Sequence, residues 1–188
     1  MQTEIAPAFS KDKINLSYLL TLTPHLTSLY HELLRLNNSA AMIRDVETPI
    51  IIGGKHLRKG MKILSPFRQM HLNQEFFGND AEEFDAKRFL KNKGLAISKS
   101  YKPFGGGSTM CPGRFVARSE IYTFIALVLH RFDVALPPVA GGGEQAFPVL
   151  DRKKPSLGVM GPIKGQDVLV TVKPRTAVDT KGNADVLE

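Results

Sequence analysis

The sequence predicts a mainly α-helical α+β fold with small β-sheets, in one domain at residues 1–176 followed by a flexible tail at residues 177–188. Two long stretches carry apolar residues at helical spacing, one after Thr23-Pro24 and one from Arg114. Short runs rich in β-branched residues lie between and after them, bounded by glycine and proline, as is typical of strands in small sheets. With 188 residues, of which 43% are apolar, the chain is long enough to bury a core.

The first long helix is predicted after Thr23-Pro24, because threonine is a common N-cap and proline suits the first helical turn. Its apolar face consists of Leu26, Leu29, Tyr30, Leu33 and Leu34. Near its end, Glu32 and Arg35 are spaced i,i+3, so their side chains can meet. Alone, such a pair is usually solvated and contributes only about 0.2–0.5 kcal/mol.

The middle of the chain predicts a β-hairpin and then an irregular segment. The strands are expected at residues 47–52 and 61–67, joined across residues 53–60, whose glycines suit a hairpin connection. This glycine-rich link lacks the residue spacing and the strand-to-helix context of a phosphate-binding loop. Residues 79–100 are polar and charged, which indicates a surface meander.

The most informative segment runs from Phe104 to Arg114 and holds the only cysteine, Cys111. Glycines permit positive φ and a close approach of backbone to a flat cofactor, and Pro112 suits the first turn of a following helix. An isolated cysteine is usually an inert buried residue. Near a helix N-terminus, however, free amides and the helix dipole favour a thiolate, the form in which cysteine ligates a haem iron.

The second long helix is predicted from Arg114 to about Leu136. An apolar stripe at helical spacing is expected to be its core face; the stripe comprises Phe115, Ala117, Ile121, Phe124, Ile125, Val128, Leu129 and Phe132. Residues 137–145 contain two prolines and three consecutive glycines, which end the helix. Short strands are predicted beyond it at residues 147–150, 157–160 and 167–172.

Composition excludes several classes of protein. One cysteine and five scattered histidines leave neither a disulfide framework nor zinc-ligand spacing. The net charge of +7 is spread along the chain and is not interleaved with aromatic residues, so we do not expect a nucleic-acid partner. No apolar run is long enough to span a bilayer, and the N-terminus lacks the order of a signal peptide.

Three segments together resemble the cytochrome P450 superfamily. Phe104, Gly107, Cys111 and Gly113 match its haem-binding signature Phe-x-x-Gly-x-x-x-Cys-x-Gly. The Glu32-x-x-Arg35 pair precedes this signature, and residues 83–89 between them are similar to the family's Phe-x-Pro-x-Arg-Phe segment, with Ala86 in place of the proline. The resemblance covers roughly residues 16–175 and implies the C-terminal, haem-proximal portion of that fold, with the N-terminal portion expected outside this sequence.

The resemblance also implies the site residues. Cys111 would be the axial ligand of the haem iron, and Phe104, Gly105, Gly113 and Arg44 would contact the haem. Where the family usually has an arginine or histidine for a haem propionate, this sequence has Thr109, so Arg44 becomes the natural propionate partner. Glu32, Arg35 and Arg88 would form a buried triad with a structural role. His71 would either have a structural role as well or lie at the edge of the haem. Residues Leu157, Gly158, Val159 and Met160 are candidates for the substrate pocket.

The implied activity is that of a haem-thiolate monooxygenase, which inserts one oxygen atom of O2 into a lipophilic, sterol- or lipid-like substrate. Within the superfamily, residues 36–40, Arg44, Thr109 and residues 111–114 look most like the branch of cholesterol 7α-hydroxylase, sterol 12α-hydroxylase and prostacyclin synthase. Fungal-type secondary-metabolite oxidations are also compatible. The resemblance implies an endoplasmic reticulum membrane location for a full-length relative.

The implied electron donor is NADPH-dependent cytochrome P450 reductase, whose acidic face could dock on a basic patch formed by Lys99, Lys102, Arg114 and Arg118. Two alternatives stay open. One is a reductase-independent isomerase of the same family, and the other is a truncated, non-enzymatic remnant that holds no haem. Exposed apolar surface would favour the remnant.

Overall fold

The computed structural model describes residues 1–10, 13–138, 148–152 and 158–175. Both the predicted domain end at residue 176 and the predicted tail lie outside these residues, so the domain boundary stays a prediction. The chain divides into two compact units, one formed by Met1–Leu26, Phe115–Val149 and Pro162–Glu188 and the other by Thr27–Arg114 and Leu150–Gly161.

The helices and strands alternate along the chain. The α-helices are α1 (Gln2–Ile5), α2 (Leu16–Thr21), α3 (Pro24–Asn37), α4 (Phe67–His71), α5 (Gln74–Phe77), α6 (Arg88–Lys91) and α7 (Arg114–Arg131), with 3-10 turns at Ala6–Ala8, Lys93–Ile97 and Gly107–Thr109. The strands are β1 (Phe9–Ser10), β2 (Lys13–Ile14), β3 (Ala41–Asp45), β4 (Ile50–Ile52), β5 (Lys55–Leu57), β6 (Lys62–Pro66), β7 (Phe132–Ala135) and β8 (Thr171–Pro174). They form the two-stranded antiparallel sheets β1-β2, β3-β6, β4-β5 and β7-β8. The predicted α+β fold class is confirmed.

In the first unit, a distant carboxylate caps the start of α3. The Glu4 carboxylate accepts hydrogen bonds from the amides of His25 at 2.8 Å and Leu26 at 3.2 Å. Helix α3 begins at Pro24, which places Thr23 at the predicted cap position, but the Thr23 hydroxyl donates to the carbonyl of Leu19 at 2.5 Å. A carboxylate at a helix N-terminus satisfies free amides and also complements the helix dipole.

The second long helix, α7, differs from its prediction in length and in its buried face. It ends at Arg131, because residues 132–135 pair with residues 171–174 as strands and cannot also be helical. Its fully buried residues are Tyr122 and Ala126, whereas Phe115 and Phe124 of the predicted core stripe are 66% and 69% exposed. Apolar residues occur around most of this helix, so their spacing does not identify the face that is covered.

The predicted strands near the C-terminus are only partly reproduced. The strand expected at residues 167–172 begins instead at Thr171. Residues 147 and 157 and most of the predicted connection at residues 137–145 lie outside the described residues. Gly158 and Met160 meet the end of α3, since Ser39 N–H donates to the Gly158 carbonyl and Met160 N–H to the Asn37 carbonyl, both at 2.8 Å.

In the second unit, the predicted hairpin between residues 47–52 and 61–67 is wrong. The chain turns earlier, at Gly53 and Gly54, whose φ values of +55° and +75° suit a two-residue hairpin turn. Strand β4 therefore pairs with β5, and β6 pairs with β3, with Arg44 opposite Ile63. The meander after α5 packs around a small core of Phe77, Ala81, Phe89, Leu95 and Tyr101. Within the described ranges, no helix is both long and apolar enough to cross a bilayer.

Candidate functional site

Residues 102–113, here called the cysteine loop, present the Cys111 thiol at the surface. Cys111 is exposed, and its amide donates to the carbonyl of Phe104 at 3.0 Å, which closes the loop. Gly105 and Gly107 have φ values of +81° and +69°, in the left-handed region that favours glycine. A Cβ added at Gly113 would lie 3.8 Å from the Cys111 sulfur, in ordinary contact. Pro112 precedes the helix, since α7 begins at Arg114.

A cavity of about 380 Å³ is formed by this loop together with β3, β6 and α4. Its wall combines apolar side chains, hydroxyls, two cations and loop backbone; the lining residues are Met42, Arg44, Ser65, Phe67, Met70, Lys102, Gly106, Gly107 and Ser108. Among the predicted haem contacts, Arg44 lines the cavity. Phe104, Gly105, Cys111 and Gly113 belong to the same loop but are not among the lining residues.

The two cations of the cavity are available to an anion. The Arg44 guanidinium donates to the Thr109 hydroxyl and, at 2.9 Å, to the Ile43 carbonyl. The Lys102 side chain passes over Gly106, where an added Cβ would lie 3.5 Å from the lysine Cδ. In the part of the chain that the structure describes, neither Arg44 nor Lys102 pairs with a carboxylate. Two such cations beside apolar side chains can bind a carboxylate.

The structure brings Glu32, Arg35 and Arg88 together. Glu32 Oε2 accepts from Arg35 Nε at 2.8 Å, and Oε1 accepts from Arg35 Nη2 at 2.7 Å and from Arg88 Nε at 3.1 Å. The side chains of Glu32 and Arg35 are fully buried, and that of Arg88 is 7% exposed. Arg35 also donates to the carbonyls of Ala81 at 2.5 Å and Glu83 at 3.1 Å, so the cluster holds the meander to α3.

A fourth member, Asp80, was missed from the sequence. Its carboxylate makes a bidentate pair with Arg88, at 2.9 Å to Nη1 and 3.1 Å to Nη2. The Arg88 hydrogen bond lowers the pKa of Asp80. Burial acts to lower the pKa of Arg88, but the bonds from Asp80 and Glu32 outweigh it and raise that pKa. With Asp80, two carboxylates balance two guanidiniums, which is what a buried charge cluster requires.

His71 connects this cluster to the cysteine loop. Its Nε2 accepts the amide hydrogen of Lys102 at 2.9 Å, so the ring proton lies on Nδ1, which faces the Arg35 carbonyl at 3.3 Å. The ring is fully buried, and burial is the largest cause that lowers its pKa to about 4. His71 does not line the cavity. Its contacts place it in the framework that supports the loop.

Within the described residues, only part of the predicted basic patch is free of contacts within the chain and so available to a docking partner. Arg118 donates to the Leu20 carbonyl at 2.8 Å and lies over the Tyr122 ring, 4.9 Å from its centroid. Lys102 lines the cavity, and Arg114 donates to the Cys111 carbonyl at 2.9 Å. Lys99 is exposed. No group of three or more histidine, cysteine or acidic side chains in the described ranges is placed to hold a metal ion.

Comparison with known proteins identifies the family. The family model for cytochrome P450 matches residues 1–155. A cytochrome P450 monooxygenase, poxD, of Penicillium oxalicum is 38% identical over 120 residues, which are 60% of this chain and 25% of that protein. A bifunctional cytochrome P450/NADPH–P450 reductase of Gibberella moniliformis is 28% identical over 137 residues, 71% of this chain and 12% of that protein.

The fold is also that of a solved structure. Retinoic acid bound cyanobacterial CYP120A1 matches 93% of this chain and 38% of its own, with a TM-score of 0.72 and 22% identity. The chain thus spans a quarter or less of the two fungal relatives and about two fifths of the solved chain. The extent of the family-model match nevertheless shows that the chain belongs to the cytochrome P450 family.

Proposed function

We propose that this chain is the haem-proximal part of a monooxygenase that inserts one oxygen atom of O2 into a lipophilic substrate, with Cys111 as the axial iron ligand. The family is haem-dependent. Bound through a thiolate, haem supplies oxygen activation and atom transfer once two electrons have arrived. The observation that carries the proposal is an exposed cysteine in a glycine loop that lines a cavity with two cations, neither of which pairs with a carboxylate in the described part of the chain.

The residues present fit the cofactor. A planar ligand needs open backbone on one side, and an added Cβ at Gly105 or Gly107 would meet nothing within 4 Å. The exposed Cys111 thiol can reach an iron atom without rearrangement of a buried core. Apolar contacts for a macrocycle edge are available from Met42, Phe67 and the rest of the cavity wall.

We further propose that the cavity binds a haem propionate. Arg44 would pair with the carboxylate and Thr109 would hold the guanidinium in place, since the two side chains already touch. Lys102, on the same cavity wall, would add a second cation. This arrangement replaces the cation that the family usually carries at the position of Thr109. Charge-assisted bonds of this kind are roughly twice as strong as neutral ones.

We propose a substrate class and an electron donor from the resemblance to the family. A sterol- or lipid-like substrate, as in the cholesterol 7α-hydroxylase and prostacyclin synthase branch, rests on the sequence resemblance alone, and both reported relatives are fungal. Fungal-type oxidation of secondary metabolites, with which the sequence is also compatible, is the alternative substrate class. We propose an NADPH-dependent reductase as donor, supported by the relative in which both activities share one chain. An endoplasmic reticulum location stays a prediction.

A second candidate is a non-catalytic piece that retains no haem. It is favoured by exposed apolar side chains on α7, where Val116 and Phe124 are each more than 60% exposed. Contiguous exposed apolar side chains often mark a surface that another protein segment or a partner covers.

The deciding experiment is the carbon monoxide difference spectrum of the reduced protein, produced with haem supply, beside Cys111→Ala. A red-shifted thiolate-type Soret band that disappears in the variant is expected. Absence of any haem signal would favour the non-catalytic candidate. If haem binds, turnover that needs reductase and O2 supports a monooxygenase, whereas conversion of a peroxide without external electrons indicates an isomerase.

A further inference from the structure

One buried side chain, that of Asn38, joins the end of α3 to the cysteine loop. Asn38 directly follows α3 and is 3% exposed. Its Nδ2 donates to the Pro103 carbonyl at 2.5 Å, and its Oδ1 accepts from the Ala40 amide at 2.9 Å. These partners fix the orientation of the side-chain amide, because the reversed amide would set donor against donor and acceptor against acceptor.

The bond to Pro103 acts on the part of the loop that closes onto Cys111. The Pro103 carbonyl and the Phe104 amide belong to one planar peptide unit. Proline also restricts its own φ, so this unit has little freedom to turn when its oxygen is held. The Phe104 carbonyl accepts from the Cys111 amide at 3.0 Å. The carbonyl that Asn38 holds and the carbonyl that holds the Cys111 amide therefore belong to consecutive residues.

The backbone around Asn38 is in turn bonded to residues 158–160, which include the candidates for the substrate pocket. Asn38 and Val159 form an antiparallel bridge, and the Met160 amide donates to the Asn37 carbonyl at 2.8 Å. Met160 is 7% exposed, so a buried side chain also anchors this segment. A displacement of residues 158–160 would therefore move Asn38.

We propose that Asn38 is a positioning residue for Cys111, and that it transmits the position of residues 158–160 to the cysteine loop. A ligand that displaces residues 158–160 would then change how the Cys111 sulfur is presented, without touching the loop. The role toward an iron ligand rests on the function proposed above. The hydrogen bonds involved contain no haem atom, so they can also be tested in haem-free protein.

Hydrogen exchange of the haem-free full chain, followed by mass spectrometry, measures this connection. Asn38→Asp keeps an acceptor for the Ala40 amide but has no N–H for Pro103. Amide exchange in residues 104–113 should therefore become about fivefold faster, which corresponds to the usual contribution of one hydrogen bond. Exchange in residues 24–34 of α3 should stay within about twofold of wild type, because local opening of the loop leaves the helix intact.

The neighbouring asparagine is a matched control. Asn37 Nδ2 also donates to a backbone carbonyl, that of Leu33 at 2.8 Å, but this carbonyl belongs to α3 itself. Asn37→Asp therefore loses a similar bond at the same helix end and should leave exchange in the loop unchanged. In the haem-loaded protein, Asn38→Asp should shift the Soret band of the carbon monoxide complex, whereas Asn37→Asp should not.

A double-mutant cycle tests the connection to residues 158–160. Met160→Ala removes a buried side chain and should also speed exchange in the loop. It should add little in an Asn38→Asp background, where the connection is already broken. Additive effects of the two substitutions would overturn this connection.

The positioning role would be overturned by equal loop exchange in Asn38→Asp and Asn37→Asp, or by a Soret band that Asn38→Asp leaves in place. A wild-type chain without a haem signal would count against the function proposed above, while the exchange rates would still decide the role of Asn38 in the loop. If Asn38→Asp does not fold, Asn38→Ala with Asn37→Ala as its control gives the same comparison, since alanine buries no charge.

Discussion

Replacing Glu32 with glutamine tests the buried charge cluster most directly. Glutamine keeps the shape of the side chain but replaces one carboxylate oxygen with an NH2 group. In the wild-type protein, Oε1 accepts three hydrogen bonds, from Arg35 Nη2, Arg88 Nε and the Asp85 amide. If the glutamine oxygen keeps these three bonds, the NH2 group must take the place of Oε2, which lies 2.8 Å from Arg35 Nε. Two donors then face each other, and the opposite orientation loses more bonds.

The expected loss of unfolding free energy is about 3–5 kcal/mol, the usual cost of removing one partner of a buried ion pair. Each lost hydrogen bond to a charged group accounts for about 1.5–3 kcal/mol of this. The remainder comes from Arg35, which is fully buried and would keep only neutral carbonyl partners. Domain stabilities are about 5–15 kcal/mol, so the loss is a large share of the total.

Urea unfolding, followed by circular dichroism, measures this loss. Asp80→Asn is the matched variant, because it removes the other carboxylate of the cluster from a side chain that is 52% exposed, where water screens the pair. Its effect should be clearly smaller than that of Glu32→Gln. A Glu32→Gln midpoint at or above that of Asp80→Asn would refute the reasoning. Failure of Glu32→Gln alone to fold would agree with it.

Three further outcomes are expected. Burial is the main reason that the pKa of His71 is lowered from 6.5 to about 4. Between pH 6.5 and pH 4 the unfolded chain therefore binds more protons than the folded chain, so the free energy of unfolding should fall by about 3 kcal/mol as the pH drops through this range. A urea-midpoint difference between wild type and His71→Gln that does not change over this pH window would contradict this. Thr109→Val removes the acceptor of Arg44 and should speed haem release to apomyoglobin, whereas Thr109→Ser should not. Equal release rates would exclude the positioning role. Glu4→Ala removes the cap of α3 and should cost about 0.5–2 kcal/mol in urea unfolding, unlike an exposed Glu75→Ala.

Local patterns predicted the parts of the fold that depend on neighbours in sequence. The apolar spacing of α3 placed Leu26 and Tyr30 on the buried face, and both are less than 5% exposed. The i,i+3 spacing of Glu32 and Arg35 predicted that their side chains could meet. Both features follow from the 3.6-residue period of a single helix.

Pairings between distant residues were not predictable in the same way. Glu4 reaches the amides of His25 and Leu26 across about twenty residues, and nothing in its own neighbourhood marks it as a cap. Asp80 completes the charge cluster, but from its sequence neighbourhood it cannot be distinguished from an acidic residue that is simply exposed to solvent. Strand β6 pairs with β3 and not with β4, because the glycine turn pairs β4 with β5. Strand pairing of this kind depends on tertiary contacts, which cannot be inferred from composition or from the spacing of apolar residues.

The position of the cysteine loop is set mainly from outside the loop. Lys102 N–H donates to His71, whose own carbonyl accepts from Arg35 at 2.9 Å. Pro103 receives a bond from the Asn38 amide at 2.5 Å, and Thr109 touches Arg44.

The loop is therefore held at three points, by His71 of α4, by Asn38 directly after α3 and by Arg44 of β3, and the first point leads directly to the charge cluster. The haem-binding signature by itself does not fix where Cys111 lies. For this reason, Glu32→Gln should weaken haem retention even under conditions where the chain remains folded, although Glu32 lies outside the cavity.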